Sequence, residues 1–76
     1  MQPYQNLGGE SGILAYEIGP DSITVQFKDG HFRFYLYTYT STGTSEVETM
    51  KRLAAKGAGL NSYIMTTVKQ NFARKW

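Results

Sequence analysis

Residues 22–38, SITVQFKDGHFRFYLYT, decide the fold of this chain. Up to Phe27 apolar and polar side chains alternate, a period of two that predicts a β-strand. The dipeptide Asp29-Gly30 favours a two-residue type I′ turn, so the sequence predicts a hairpin in which Lys28 opposes His31. In that register the apolar side chains share one face, which carries Ile23, Val25, Phe27, Phe32, Phe34 and Leu36.

The other face of this predicted sheet is polar but rich in aromatic rings, and we expect it to be open to solvent. It carries Glu17, Thr24, Gln26, Lys28, His31, Arg33, Tyr35, Tyr37 and Tyr39. Aromatic rings on a sheet can stack on bases, and cations beside them can contact phosphates. The candidate binding residues on this face are therefore Lys28, Arg33, Tyr35 and Tyr37.

A plainer interpretation of the same face is available. Tyrosine, threonine and arginine are ordinary residues on a solvated antiparallel face, because their side chains fit a pleated surface. An exposed aromatic patch also suits contact with another protein or with a second copy of the chain.

A preceding strand is predicted from Ile13 to Ile18, followed by turn chemistry at Gly19-Pro20-Asp21. This first hairpin is expected to place Ile18 beside Ile23 and Leu14 beside Phe27. Residues 1–10 are polar and Gly-rich, and they predict a flexible N-terminal segment ahead of a single domain over residues 11–76.

Two helices are predicted after the strands. Ser45 and Glu48 have capping-box spacing, and Gly57 fits the end of that first helix. Its apolar stripe is Val47, Met50, Leu53 and Ala54, and Glu48 is expected to pair with Arg52. The second helix is predicted from Leu60 to about Arg74. Its apolar stripe is Ile64, Met65, Val68 and Phe72.

The expected fold class is therefore α+β: a three-stranded antiparallel β-meander followed by two α-helices packed on one face of the sheet (βββαα).

Composition limits the function classes. The chain has 76 residues, enough for one small core, and no cysteine. It contains no apolar run of the roughly 20 residues needed to cross a bilayer, so we expect a cytoplasmic protein with no membrane partner. Residues 1–49 hold all six acids and two bases, a net charge of −4, whereas residues 50–76 hold six bases and no acid. This asymmetry suggests an anionic partner, although cations also gather at helix C-termini for local electrostatic reasons.

Catalytic chemistry is poorly supported by the sequence. The only histidine, His31, follows a predicted turn, where solvation is the ordinary outcome. Gly57-Ala58-Gly59 lacks the spacing of a phosphate-binding loop and is interpreted as a cap and linker. We therefore expect no enzyme activity, no metal site and no cofactor.

Several short motifs, in order along the chain, resemble the KTSC domain. They are Ser11-Gly12-Ile13, Ala15-Tyr16, Phe27-Lys28-Asp29-Gly30, Tyr35-Leu36-Tyr37, and Gly57 with Leu60-Asn61 and Ile64. The resemblance covers about residues 11–72, and it departs from the family pattern at Arg33 and Ala55. This family occurs at the C-terminus of some lysyl-tRNA synthetases and as a separate bacterial protein.

The resemblance implies a small binding module without established activity, for which RNA is the suggested partner because of the synthetase association. The expected function is thus RNA binding through a Tyr/Arg sheet face. The alternative is a protein–protein interaction or homodimerisation module.

Overall fold

The computed structural model describes residues 1–9 and 11–76, which form an α+β domain. Its antiparallel sheet has the sequential strand order β1-β2-β3-β4-β5. The strands are β1 (Gln2–Pro3), β2 (Ile13–Ile18), β3 (Ser22–Phe27), β4 (Phe34–Thr38) and β5 (Arg74–Lys75). The helices are α1 (Tyr39–Thr42), α2 (Thr44–Lys56) and α3 (Leu60–Tyr63), which continues into a π-helical turn, Ile64–Val68. In the described ranges, every helix is too short or too polar to cross a bilayer.

The central meander β2-β3-β4 and the antiparallel pairing confirm the coarse prediction. The finer βββαα arrangement is wrong, because β1 and β5 add an edge strand on each side of the meander. Both additions come from segments that carry no strand-like periodicity, which is why the pattern did not predict them.

The connection between β3 and β4 is longer than the two-residue turn that Asp29-Gly30 favours. It spans residues 28–33, and the amide of Phe27 donates to the carbonyl of Arg33 at 2.7 Å. The predicted hairpin instead placed Phe27 opposite Phe32. Because side chains alternate along a strand, this shift of one residue moves every side chain of β4 to the opposite face of the sheet.

The predicted face was therefore right for β3 and wrong for β4. In the observed register Tyr35 opposes Val25 and Tyr37 opposes Ile23. The two tyrosines lie on the helix-covered face, while Phe34 and Leu36 lie on the face that was expected to be polar.

Tyrosine rings serve here as core side chains. Tyr37 is 1% exposed, and its ring meets that of Phe72 at 6.4 Å between centroids. Burial, with the neighbouring Tyr35 phenol, raises the pKa of Tyr37 above its usual range. A large ring with one polar atom supplies much apolar area, so tyrosine is well suited to close a small core. The other core side chains, from the sheet and the helices, include Ile13, Ile23, Val25, Val47, Met50, Leu60, Ile64 and Val68.

The first hairpin confirms one predicted pair and corrects the other. Ile18 opposes Ile23, as expected. Phe27, however, opposes Ile13, because the register shifts between Ile13 and Ala15. This irregularity leaves Leu14 51% exposed. Such a shift is typical of a β-bulge, which bends a strand and re-aims its side chains.

Residues 1–9, which belong to the segment predicted to be flexible, pack against the rest of the chain. Gln2 and Pro3 pair with β2, and Tyr4 is a core residue at 7% exposure. The buried amide of Leu60 donates to the hydroxyl of Tyr4 at 3.3 Å. The remaining residue of that predicted segment, Glu10, lies outside the described residues.

Helix α2 follows its predicted interior but not its predicted start. Its buried residues are Val47, Met50 and Ala54, and Gly57 ends it at a φ of 79°. The capping box lies instead at α1, where the hydroxyl of Thr38 accepts from the amide of Ser41 at 3.1 Å. The predicted box at Ser45 and Glu48 is therefore wrong, since the N-cap of α2 is Gly43 and no side chain caps it.

The predicted Glu48–Arg52 pair also gives way to a different set of contacts. Glu48 accepts from the hydroxyl of Tyr39 and lies 2.9 Å from the ammonium of Lys51. These bonds, the one from Tyr39 first, lower the pKa of Glu48 below its usual value. Arg52 donates to the hydroxyl of Thr49 instead.

The second predicted helix ends early. Regular α-helix stops at Tyr63, the π-helical turn ends at Val68, and Lys69 has a φ of 47°. The wider turn rotates Met65 out to 66% exposure, so its predicted place in the apolar stripe is wrong. The chain then returns to pair β5 with β4, where a helix to Arg74 was expected.

The observed register gives a direct stability test on β4. We expect Tyr37→Ala to reduce the free energy of unfolding by about 3–5 kcal/mol, as truncation of a large buried aromatic does. Leu36→Ala, on the opposite and half-exposed face, should cost about 1 kcal/mol. Urea unfolding of the two variants measures both values. A larger loss for Leu36→Ala contradicts the register.

The packing of the N-terminal segment can be tested at Tyr4. Tyr4→Phe removes the oxygen that accepts from the buried Leu60 amide, so it should cost about 1–3 kcal/mol. The matched control is Leu7→Ala, because Leu7 is 68% exposed and its loss should change stability by less than about 0.5 kcal/mol. Equal melting temperatures for wild type and Tyr4→Phe contradict the packing of this segment.

Candidate functional site

The four candidate binding residues do not share one open face. Tyr37 is buried in the core. Tyr35 is half-buried on the same side of the sheet, between the rings of Phe27 and Phe72 at centroid distances of 5.3 and 5.1 Å. Lys28 and Arg33 are exposed at the two ends of the β3–β4 loop. The expected polar tyrosine face is therefore not present, although its two cations are exposed.

The face turned away from the helices carries a different set of aromatic side chains. The rings of Phe34 and Trp76 stack at 5.6 Å between centroids and 12° between planes. The guanidinium of Arg74 lies 5.0 Å from the centroid of the Trp76 ring. Leu36, opposite Arg74 in the register, completes an apolar patch. We call Phe34, Leu36, Arg74 and Trp76 the open-face cluster.

Pairing between β4 and the C-terminal residues builds this cluster. The amide of Phe34 donates to the carbonyl of Trp76 at 3.0 Å, and the amide of Trp76 donates back to the carbonyl of Phe34 at 2.9 Å. Directly opposed residues of an antiparallel pair share a face, so the two rings meet. Trp76 remains 44% exposed, which leaves ring surface available for contact.

A groove opens on the helix side of the same end of the sheet. It lies between the β3–β4 loop and the segment from the π-helical turn to β5, with a volume of about 680 Å³. Its lining includes Phe32, Tyr35, Met65, Lys69, Phe72 and Lys75. The ammonium of Lys75 lies 4.7 Å from the Phe32 centroid and 5.4 Å from the Phe72 centroid. We call this feature the aromatic groove.

Strained backbone borders the groove. The π-helical turn is closed by a bond from the Lys69 amide to the Ile64 carbonyl at 2.7 Å. Lys69 then takes a φ of 47° and a ψ of −113°, a conformation that favours glycine. π-Turns and strained non-glycine residues are frequent at functional sites.

Five exposed cations lie on the β3–β4 loop, directly after the π-helical turn or on β5, and we call them the basic end. They are Lys28, Arg33, Lys69, Arg74 and Lys75. Over residues 1–9 and 11–76, none of the five forms an ion pair. The carboxylate among the described residues closest in sequence to this loop end is Asp29, which lines the groove.

Two acidic side chains, Glu17 and Asp21, lie toward the other end of the sheet. Glu17 is close to the end of β2 and lies 3.9 Å from the N-terminal ammonium, and Asp21 is in the turn that follows β2. Lys51, the cation of the α2 ion pair, donates to the carbonyl of Pro20 in that turn. Asp21 precedes β3 and Lys28 follows it, so these two charges lie at opposite ends of that strand.

Sequence reasoning missed the site residues on the segment that follows the π-helical turn and pairs with β4. Arg74, Lys75 and Trp76 were expected on or beyond a helix, and Lys69 was not selected. The excess of cations after residue 49 did indicate this region. Phe32 was expected in the core but is 39% exposed on the groove.

Comparison of the chain with family models, curated proteins and solved structures gave no match. The resemblance to the KTSC domain stays a prediction.

The strain at Lys69 predicts an unusual stability change. Lys69→Gly should raise the free energy of unfolding by about 1 kcal/mol, because glycine adopts positive φ without steric cost. Lys69→Ala removes the same charge but keeps the strain, so it should not stabilise the fold. Thermal and urea unfolding of the pair measure the difference. Equal stability of the two variants contradicts a strained backbone at residue 69.

Proposed function

We propose that this domain is a non-enzymatic module that binds single-stranded RNA at its basic end. The observation that carries the proposal is the combination of five unpaired cations, as far as the described residues show, with the exposed rings of Phe32 and Trp76. A single-stranded nucleic acid needs both features, cations for its phosphates and rings for its unstacked bases.

The cations supply the sequence-independent part of binding. Each lysine or arginine that neutralises a phosphate releases condensed counterions, which makes affinity fall with salt. Glu17 and Asp21 lie away from the basic end, so their repulsion of an anionic strand that approaches this end is reduced.

The open-face cluster supplies a stacking platform. Trp76 is already held against Phe34 and Arg74, so little side-chain freedom is lost when a base stacks there. Arginine beside an aromatic ring can contact a phosphate and stack on a base at the same time. The role first predicted for the tyrosine face is thus assigned to Phe34, Arg74 and Trp76.

The resemblance to the KTSC domain supports the same proposal. That family is associated with lysyl-tRNA synthetases, and membership of this chain in it is part of the proposal. The cations at Lys28 and Arg33, on the loop that carries the family's Asp-Gly motif, fit an RNA contact at this end of the fold.

A second candidate function is self-association or contact with another protein through the open-face cluster. The observation in its favour is the apolar part of the cluster, Phe34, Leu36 and Trp76, on the face turned away from the helices. Contiguous exposed apolar side chains often mark such a contact.

A salt titration with short labelled single-stranded RNA tests the main proposal. If three to five phosphates are neutralised, the logarithm of the association constant should fall by about 2–3.5 per tenfold rise in salt. Trp76→Ala should weaken binding roughly ten- to a hundredfold through loss of stacking. Arg33→Ala should weaken binding and reduce the salt slope by about 0.7. Fluorescence anisotropy of the RNA measures all three.

The control is Arg52→Ala, which removes the same charge from an exposed position on α2 that does not line the groove. It should leave affinity and salt slope close to those of wild type. Absence of salt-sensitive RNA binding by wild type contradicts the proposal. If Trp76→Ala then reduces self-association in sedimentation while RNA affinity stays at background, the second candidate replaces it.

A further inference from the structure

The aromatic groove has the size and lining of a small-ligand site. Its volume of about 680 Å³ lies within the roughly 300–1,000 Å³ usual for such sites. The rings of Phe27, Tyr35 and Phe72 meet edge to face inside it, which makes a largely apolar floor. Phe32 and Met65, 39% and 66% exposed, form opposing parts of the rim.

The rim also carries positive charge. Lys69 and Lys75 both line the groove, and the Lys75 ammonium is held over two aromatic rings rather than by a carboxylate. Asp29 contributes one negative charge, so these side chains leave the rim with a net positive charge. The groove thus combines an apolar floor with cations at its edge, which complements a flat ring that carries an anionic group.

The backbone around Lys69 is consistent with a site built for binding. The strained residue lies directly after the π-helical turn whose Ile64 and Met65 line the groove. A glycine there would relieve the strain but would remove one of the two cations. A lysine in a glycine-like conformation is the pattern expected where a side chain is needed for function.

From these observations we propose that the aromatic groove binds one unstacked nucleotide. The base lies against Tyr35 and Phe72 between Phe32 and Met65, and its phosphate lies between Lys69 and Lys75. The inference rests on the proposed RNA-binding function, since the nucleotide is one that turns out of the strand on the open face. Any base can enter, because its contacts are with aromatic and apolar side chains rather than with base-specific hydrogen-bonding groups.

Methyl NMR of the intact chain tests the site with adenosine monophosphate, uridine monophosphate and adenosine as probes. The chain has three methionines, of which Met65 lines the groove and Met50 is buried in the core at 0% exposure. Both monophosphates should shift the Met65 methyl signal in a saturable way and leave that of Met50 unchanged. Adenosine should bind at least about tenfold more weakly, because it lacks the charged phosphate.

Variants separate the groove from the open-face cluster. Lys69→Ala should weaken the binding of adenosine monophosphate at least about tenfold and leave the affinity for adenosine unchanged. Trp76→Ala should weaken the binding of single-stranded RNA but not that of the mononucleotide. Arg52→Ala should change neither affinity. The Met50 signal reports in every sample that the core is intact.

The failures can be told apart. If wild-type protein binds RNA with the expected salt slope but Lys69→Ala changes neither mononucleotide nor RNA binding, the groove inference is overturned and the RNA proposal stands. If RNA does not bind but adenosine monophosphate binds in a Lys69-dependent way, the groove is a nucleotide site and the RNA proposal is wrong. A Met65 shift that follows protein concentration alone shows a second copy in the groove and overturns the inference.

Discussion

The pairing of β3 with β4 is the constraint on which the rest of the structure depends. The bond from the Phe27 amide to the Arg33 carbonyl fixes a register in which Tyr35 and Tyr37 point toward the helices. The same register places Phe34 on the opposite face, where its backbone hydrogen-bonds to Trp76 and its ring stacks on the Trp76 ring. A shift of one residue would exchange the two faces and remove the core ring, the open-face cluster and the floor of the groove together.

Local periodicity predicted the parts of the fold that local forces decide. The alternation in β3, the Ile18–Ile23 pair, the buried stripe of α2 and the stop at Gly57 follow from spacing and from backbone preference. The face of β4 was not predicted, because one additional residue between Phe27 and its partner on β4 reverses that face. No single side chain indicates the length of this loop. The end of the second helix was not predicted either, since Lys69 takes positive φ where the sequence offers neither glycine nor proline.

For the candidate site, the sequence predicted the charge but not the aromatic side chains beside it. Charge composition needs no geometry, and the excess of cations after residue 49 pointed to the segment that forms much of the basic end. The aromatic partners of those cations required the tertiary fold. Trp76 reaches Phe34 through a C-terminal return that has no periodic pattern, and Tyr37, a good stacking residue by type, is needed in the core.

The two outermost strands also govern how the domain behaves beside other chains. Each is only two residues long, and β1 covers just Ala15 and Tyr16 of the longer strand next to it. Short edges offer few free amides and carbonyls to a neighbouring chain, which protects a sheet from edge-to-edge aggregation. Proteolytic loss of Gln2 and Pro3 would expose a six-residue edge that carries Leu14 and Ile18, both already about half exposed. Gln2 and Pro3 thus shorten the free edge of β2 with which another chain could pair.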